Sequence, residues 1–329
     1  MDIVFGNIFQ KESECFMKKL LALALVVLFS VCASGVLAEN YSSMTTEELS
    51  FMSNALNEEL YARWEAVQET AEAKFTSADQ FIYVDNGSEV MIRGYFGTEV
   101  DIVIPAEING LPVTRISESA FSENATICSV VIPDSVVEIG ERAFYNCNNL
   151  QSVVMSKNMT EIKYKTFAYC QKLSSINLDH VSYFGEFSFD HTRLTGVLEF
   201  NAEHLTIESC AFQGVDGTTG IRINSKTCQI NSSNAFHGHA NLRWFYVSDH
   251  TQLNINGNFL YHCAKIEAFV TPATTTVSYN NDDLFVRCPN LIIYTPESSG
   301  LHAYAKKQFL RCVPEQYAEM SALLAVANQ

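Results

Sequence analysis

Short stretches in which every second residue is apolar recur along the chain: Val130/Ile132, Val153/Met155, Ile176/Leu178, Leu198/Phe200, Ile221/Ile223, Phe245/Val247 and the weaker Phe269/Thr271. A period of two marks a strand with one buried face. Between these stretches falls a second landmark, a phenylalanine that often follows alanine: Phe121, Phe144, Phe167, Phe189, Phe212, Phe236, Phe259 and Phe285, at intervals of 23, 23, 22, 23, 24, 23 and 26 residues. An apolar residue stands five positions before the early anchors (Ile116, Ile139, Ile162, Phe184, Ile207), and another five to seven positions after most of them (Ile127, Leu150, Leu173, Leu194, Leu242, Ile266, Leu291). In the later repeats Asn231, Asn254 and Asn280 fall at the minus-five position, and the unit anchored at Phe212 lacks a leucine at its tail, so these units read as degenerate. One strand and one turn per 23 residues cannot bury an apolar side alone. Stacking neighbours into a continuous core is the solenoid solution, and eight units exceed the roughly three that such a stack needs. The pattern therefore predicts an α/β repeat of short parallel strands.

The residues between the buried strand positions form two outward columns. One runs Val131, Val154, Asn177, Glu199, Arg222, Tyr246, Val270, and beside it runs Ser129, Ser152, Ser175, Val197, Gly220, Trp244, Ala268. The columns begin as serine and valine and turn aromatic and charged at Glu199, Arg222, Trp244 and Tyr246, a composition favoured where proteins bind partners. These four are the candidate binding residues. The alternative is that a neighbouring segment covers Trp244 and Tyr246.

Other chemistry is sparse. No nucleophile elbow, His-Glu-x-x-His, Walker loop or dinucleotide fingerprint occurs, so neither an enzyme nor a cofactor is expected. His239 and His262 stand three residues after their anchors, as do Cys147, Cys170 and Cys288, and Cys263 is adjacent to His262. Neighbouring coils would bring such residues within reach of a zinc ion. The same column holds Asn124, Thr192 and Val215, which reads as turn packing instead.

The segment "IPDSVVEIGERAFYNCNNLQSVV" resembles the BspA-like bacterial leucine-rich repeat, whose units read Ile-Pro, Val, Ile-Gly, Ala-Phe, Cys, Leu. Residues 81–121 resemble that family's opening unit, a hairpin around Asn86-Gly87. Residues 291–309 resemble its closing unit, a strand and a short helix containing Tyr304-Ala305-Lys306. The resemblance spans residues 79–313 and implies a leucine-rich-repeat solenoid with an N-terminal hairpin or helix cap and a short helical C-terminal cap. It also implies an exported protein that adheres to or binds a protein or glycan, host-derived ones included, without catalysis. A structural protein of the envelope or of an assembly is the second reading, and a metal protein or enzyme the third.

The N-terminal region fits export. Met17-Lys18-Lys19, the apolar run Leu20–Val31 and the small residues Val36 and Ala38 form a signal peptide over residues 17–38, with cleavage expected before Glu39. Residues 1–16 then read as an upstream extension from a mis-assigned start. Residues 1–38 hold three residues of each charge sign, so the mature chain keeps 18 basic and 34 acidic residues and the net charge of −16. That acidity disfavours nucleic acid as a partner, and the mature chain shows no apolar run long enough for a membrane span. The predicted location is secreted or cell-surface associated. Within residues 39–78, Thr45 and Glu48 form a capping box, with Leu49, Met52, Leu56, Leu60, Trp64, Val67 and Ala71 along one helical face. This helix would either cover the first coil or pair with another protein. Residues 314–329 read as a short helix or tail. Eight cysteines remain after cleavage, and those that share a repeat position with an anchor read as packing residues, with a Cys147–Cys170 bridge as the alternative.

Overall fold

The computed structural model describes residues 75–231, 234–256, 258–278 and 284–326. The upstream extension, the leader and the Thr45–Ala73 helix lie outside the described residues. The chain winds as a parallel β-solenoid. A first ladder takes one strand per coil: Asp101–Val103, Ser129–Val131, Ser152–Val154, Ser175–Ile176, Gly196–Phe200, Thr218–Ile223, Trp244–Val247, Ala268–Val270 and Ile292–Tyr294. It pairs in two runs, of four and five strands. A second ladder comprises the short strands Glu138–Ile139, Glu161–Ile162, Tyr183–Phe184, His204–Ile207, Thr227–Asn231, Gln252–Asn256 and Thr276–Val277. Where the first run ends, the Asn177 amide continues the pairing: its Oδ1 accepts from Met155 N at 2.7 Å.

Both ends carry caps. The hairpin Phe81–Asp85 with Val90–Tyr95 is antiparallel, and its turn is set by Asn86 Oδ1 accepting from the backbone of Ser88 and Glu89, each at 3.0 Å. Val90–Tyr95 then pairs parallel with Leu111–Ile116, which passes the ladder to Glu138–Ile139. At the far end helix α1, Gly300–Lys307, is capped by Ser299, whose Oγ accepts from His302 N at 2.9 Å, and it buries Leu301 and Ala305. After a short 3-10 turn at Pro314–Gln316 comes helix α2, Tyr317–Val326.

The anchor phenylalanines form a ring stack through the core. Phe121–Phe144, Phe144–Phe167, Phe167–Phe189, Phe189–Phe212 and Phe212–Phe236 have centroids 4.8, 5.3, 5.3, 5.3 and 5.5 Å apart and interplanar angles of 17° or less. The spacing is that of parallel strands, so an identical side chain in every coil meets its copy at van der Waals distance. Offset aromatic pairs of this kind add about 0.5–1.5 kcal/mol each beyond the area they bury.

The turn around each anchor from Phe121 to Phe236 holds two residues in the left-handed region, one two positions before it and one two positions after, such as Arg142 and Asn146 (φ 55° and 58°) or Lys165 and Tyr169 (54° and 62°). Non-glycine residues enter that region at roughly 1–2 kcal/mol each. The compensation is a third ladder. Alternate N–H groups along the turn point to the next coil: Arg142, Phe144 and Asn146 donate to the carbonyls of Tyr164, Thr166 and Ala168 at 2.8–3.0 Å, and Lys165, Phe167 and Tyr169 repeat this on Glu186, Ser188 and Asp190. The glycine of the Ile-Gly pair has a steric reason as well. A Cβ on Gly140 would lie 2.3 Å from Glu118 N.

These hydrogen bonds correct the repeat register in the second half. The N–H groups of Phe121, Phe144, Phe167, Phe189 and Phe212 donate to the residue before the next anchor, as Phe212 does to Ala235, and Leu260, not Phe259, makes that bond, to Leu284. Leu260 is therefore the backbone anchor of its coil. Phe259 is buried beside it but meets Phe236 edge-on, at 84°, which ends the parallel stack. Ile207, Ile230, Ile255 and Val277 occupy one apolar column of the second ladder, so Asn231 and Asn254 do not replace it, and Asn280 lies outside the described residues. The buried Thr218 takes the tail leucine's place.

The register also separates His239 from His262. Cys147 and Cys170 donate through Sγ to the carbonyls of Phe121 and Phe144 at 3.0 Å, and Cys263 and Cys288 do so to Phe236 and Leu260 at 3.2 and 3.0 Å. His239 occupies that same column, fully buried, with Nε2 bonded to the Phe212 carbonyl at 2.7 Å. His262 instead takes the left-handed turn position, φ 60°. Cys147 and Cys170 are free thiols with no bridge between them, and burial pushes Cys170 and Cys228 well above the ordinary thiol range.

Two outcomes are expected. Phe144→Ala and Phe167→Ala should each cost about 3–5 kcal/mol of unfolding free energy in denaturant titration, whereas Val137→Thr, 56% exposed, should stay within about 0.5 kcal/mol. Burial also lowers the His239 pKa to about 4, below an unfolded value near 6.5. Its neutral form is thus favoured by folding, and the associated stability is complete above pH about 6.5 and lost as pH falls toward 4, by about 3 kcal/mol. His239→Cys should flatten the stability profile in that window by this amount, measured as the difference between the two proteins' denaturant midpoints against pH.

Candidate binding surfaces

Strand pairing confirms both outward columns in the second half. Glu199 is registered with Arg222, Arg222 with Tyr246, and Tyr246 with Val270 and then Tyr294, while Gly220, Trp244, Ala268 and Ile292 align beside them. Their exposure is a different matter. Helix α2 lies against this face, and Arg222 and Tyr246 are only 4% exposed, with Trp244 and Glu199 partly buried. The four candidate residues share one face, and α2 covers it, which is the second of the two alternatives that the sequence left open for Trp244 and Tyr246.

The occupied face forms a second small core. Tyr246, Ala268, Val270, Tyr294 and Leu324 are buried together, with Met320 and Tyr317 against them. Trp244 lies flat over Gly220, where a Cβ would come 2.2 Å from the indole. Arg222 donates from Nη1 to Glu199 Oε1 at 2.6 Å and from Nη2 to the Leu324 carbonyl at 2.7 Å, and its guanidinium lies 5.8 Å from the Trp244 ring centre. Its Nε is buried without a hydrogen-bond partner among the described residues, a deficit of the order of 1–3 kcal/mol. Asp249 accepts from the hydroxyls of Tyr317 and Ser321, and burial followed by this carboxylate pushes the Tyr317 phenol far up.

The metal candidates do not converge. His239 is in the core column, His262 is in the turn against the rings of Tyr261 and His237 at 4.3 and 5.4 Å, and Cys263 donates to a carbonyl. No group of three or more His, Cys, Asp or Glu among the described residues is arranged to hold a metal ion.

A surface that the sequence reading passed over lies on the turns flanking the anchors. Arg142 and Lys165 sit 5.1 Å from the Tyr164 ring centre, Lys165 is 5.2 Å from that of Phe187, and Tyr164 meets Phe187 edge-on at 6.3 Å. Lys165, then Arg142, lowers the Tyr164 phenol pKa. On the other side of the anchors Tyr145, Tyr169 and His191 form a second row, with centroids 5.7 and 5.2 Å apart. His191 Nδ1 bonds at 2.6 Å to Asp190, a buried carboxylate. The two rows make a ridge of partly exposed aromatic and cationic groups across three coils. Its signal was available in the sequence as a recurrence of turn aromatics at intervals of 22 to 24 residues, hidden because these positions carry no apolar periodicity.

The geometry agrees with comparisons to known proteins. The family model described as "BspA type Leucine rich repeat region" matches residues 101–215 and 182–313 in six copies. No curated protein matches the sequence at a significant level. Among solved structures, a leucine-rich repeat protein of T. pallidum is 18% identical, covers 73% of this chain and 98% of its own, and has a TM-score of 0.40. One from Bacteroides ovatus is 20% identical over 67% of this chain and 70% of its own, with a TM-score of 0.39. A leucine-rich cell surface protein of Faecalibacterium prausnitzii is 17% identical over 78% and 97%, with a TM-score of 0.29. With the repeat matched over most of the described coils, and its Ile-Gly, Ala-Phe and Cys positions each given a structural role by the stack, the chain belongs to the BspA-type leucine-rich repeat family.

Proposed function

We propose that this protein is an exported, non-catalytic recognition module that binds a protein or glycan at the bacterial surface or outside the cell. The observation that carries the reading is the ridge of Arg142, Tyr145, Tyr164, Lys165, Tyr169, Phe187 and His191. Aromatic rings offer large contact area at low entropic cost, and cations beside them add directional bonds to carbonyls, hydroxyls or carboxylates. The backbone holding them is bonded coil to coil, so the rings are positioned before any partner arrives, which reduces the ordering cost of association. Export rests on the leader: the mature N-terminus is expected at Glu39, and sequencing of the protein from supernatant and envelope fractions checks it.

Binding of the mature chain to arrays of extracellular matrix proteins and glycans tests the function. Tyr164→Ala combined with Phe187→Ala should weaken the strongest interaction at least tenfold, with the thermal unfolding temperature near that of the parent, while Val137→Thr should leave it unchanged. Full affinity in the folded double variant would remove the ridge as the site.

A further inference from the structure

The thiol column beside the anchors holds two pairs of cysteines in adjacent coils, Cys147 with Cys170 and Cys263 with Cys288, and the pairs differ in what can reach them. We propose that Cys263 and Cys288 are a redox pair, with Cys288 as the attacking thiol and Cys263 as the resolving one, which a disulfide oxidant converts to an intramolecular bridge that staples their two coils. The pair is independent of the ridge.

Register carries the first part of this. Leu260 N donates to the Leu284 carbonyl and His262 N to that of Val286, each at 2.9 Å, so Cys263 and Cys288 stand opposite each other in neighbouring coils. At parallel-strand spacing their Cα atoms lie about 5 Å apart, inside the range that a disulfide accepts. Direction carries the second part. Cys288 Sγ is 3.0 Å from the carbonyl of Leu260, an atom of the coil that bears Cys263, and the two thiols hydrogen-bond to each other. The side chain of Cys288 therefore already faces its partner.

Access and protonation separate this pair from the other. Cys147, Cys170 and Cys263 are fully buried, whereas Cys288 is partly exposed. The hydrogen bond from Cys263 holds the Cys288 thiol below its ordinary range and keeps the proton on Cys263, while burial pushes Cys170 well above that range. A thiolate is the attacking species in disulfide exchange. Cys288 is thus the member of the column that an oxidant meets as a nucleophile, and Cys263 is reached only through it.

The exchange takes two displacements. The Cys288 thiolate, its proton released to solvent, attacks one sulfur of the oxidant, and a mixed disulfide forms as the oxidant's own S–S bond breaks and one thiolate departs. Cys263 then yields its proton and attacks Cys288 Sγ, expelling the second thiolate. Solvent protonates both leaving groups, so two protein thiols become one disulfide and the oxidant's disulfide becomes two thiols.

The bridge would fall where the aromatic stack no longer joins coils face to face, since Phe259 meets Phe236 and Phe285 edge-on, at 84° and 81°. It closes a loop of 24 intervening residues. The coil it fastens also seats the C-terminal cap, with Leu284 N donating to the Tyr304 hydroxyl at 3.1 Å and the Phe285 ring 6.3 Å from that of Tyr304. A cross-link of this span restricts the unfolded chain and stabilises the folded one.

The test exposes the reduced mature chain to oxidised glutathione, quenches in acid, alkylates the remaining thiols and maps bridges by mass spectrometry of unreduced peptides. The Cys263–Cys288 bridge is expected to form at least tenfold faster than any Cys147–Cys170 bridge. Iodoacetamide added to the native reduced protein should label Cys288 at least tenfold faster than Cys147, Cys170 or Cys263. Cys263→Ser should accumulate glutathione on Cys288, and Cys288→Ser should leave Cys263 unmodified. The oxidised parent should unfold about 3 °C or more above the reduced one. Should either variant fail to fold, the bridge map and the labelling rates of the unmutated protein decide. Absence of a Cys263–Cys288 bridge, earlier closure of Cys147 with Cys170, a Cys288–Cys312 bridge in its place, equal labelling rates, or an unchanged unfolding temperature would each overturn the proposal.

Discussion

Everything in this molecule depends on alignment from one coil to the next. At the spacing of parallel strands, a ring, a thiol or a carbonyl in one coil meets its copy in the next at contact distance, and three ladders of backbone hydrogen bonds enforce that alignment at once. The left-handed residues around each anchor show how much the third ladder contributes. Arg142 and Asn146 take a strained conformation so that their N–H groups aim at the following coil, and the bonds they make there are what allow the strain to persist.

The same constraint explains which substitutions the repeat accepts. A cysteine whose thiol reaches back to the anchor carbonyl of the preceding coil can be replaced by His239, provided the imidazole stays neutral and donates from Nε2, and burial secures that state. Changes of repeat length are accommodated without loss of the second ladder's pairing. Ile230, Ile255 and Val277 remain in column while the sequence intervals drift.

Rigid repetition also shapes what the surface can do. Columns of outward side chains are delivered at fixed spacing, and chemistry concentrates wherever neighbouring coils carry compatible groups: Arg142, Tyr164, Lys165 and Phe187 on the turns, and Arg222, Trp244 and Tyr246 on the strands. The first cluster is presented to solvent. The second is covered by α2 and holds a guanidinium whose hydrogen-bonding capacity is not filled.

The sequence by itself determined the solenoid. The alternation of Val130 and Ile132, the recurrence of Phe144 and Phe167 and the hairpin at Asn86-Gly87 are local patterns, and local patterns specify strands, anchors and turns because their cause, one buried face per short segment, acts within a few residues. It also determined the outward columns, since side chains alternate along a strand whatever lies above them. Only the tertiary structure decided that Leu260 and not Phe259 keeps the backbone register, because that depends on which N–H meets which carbonyl in the adjacent coil. It alone decided that Arg222 is buried, because its partner Leu324 stands 102 residues away. No periodicity encodes a contact between a repeat face and a non-repeating tail, so whether that face is open or filled is settled only when the chain folds back on itself.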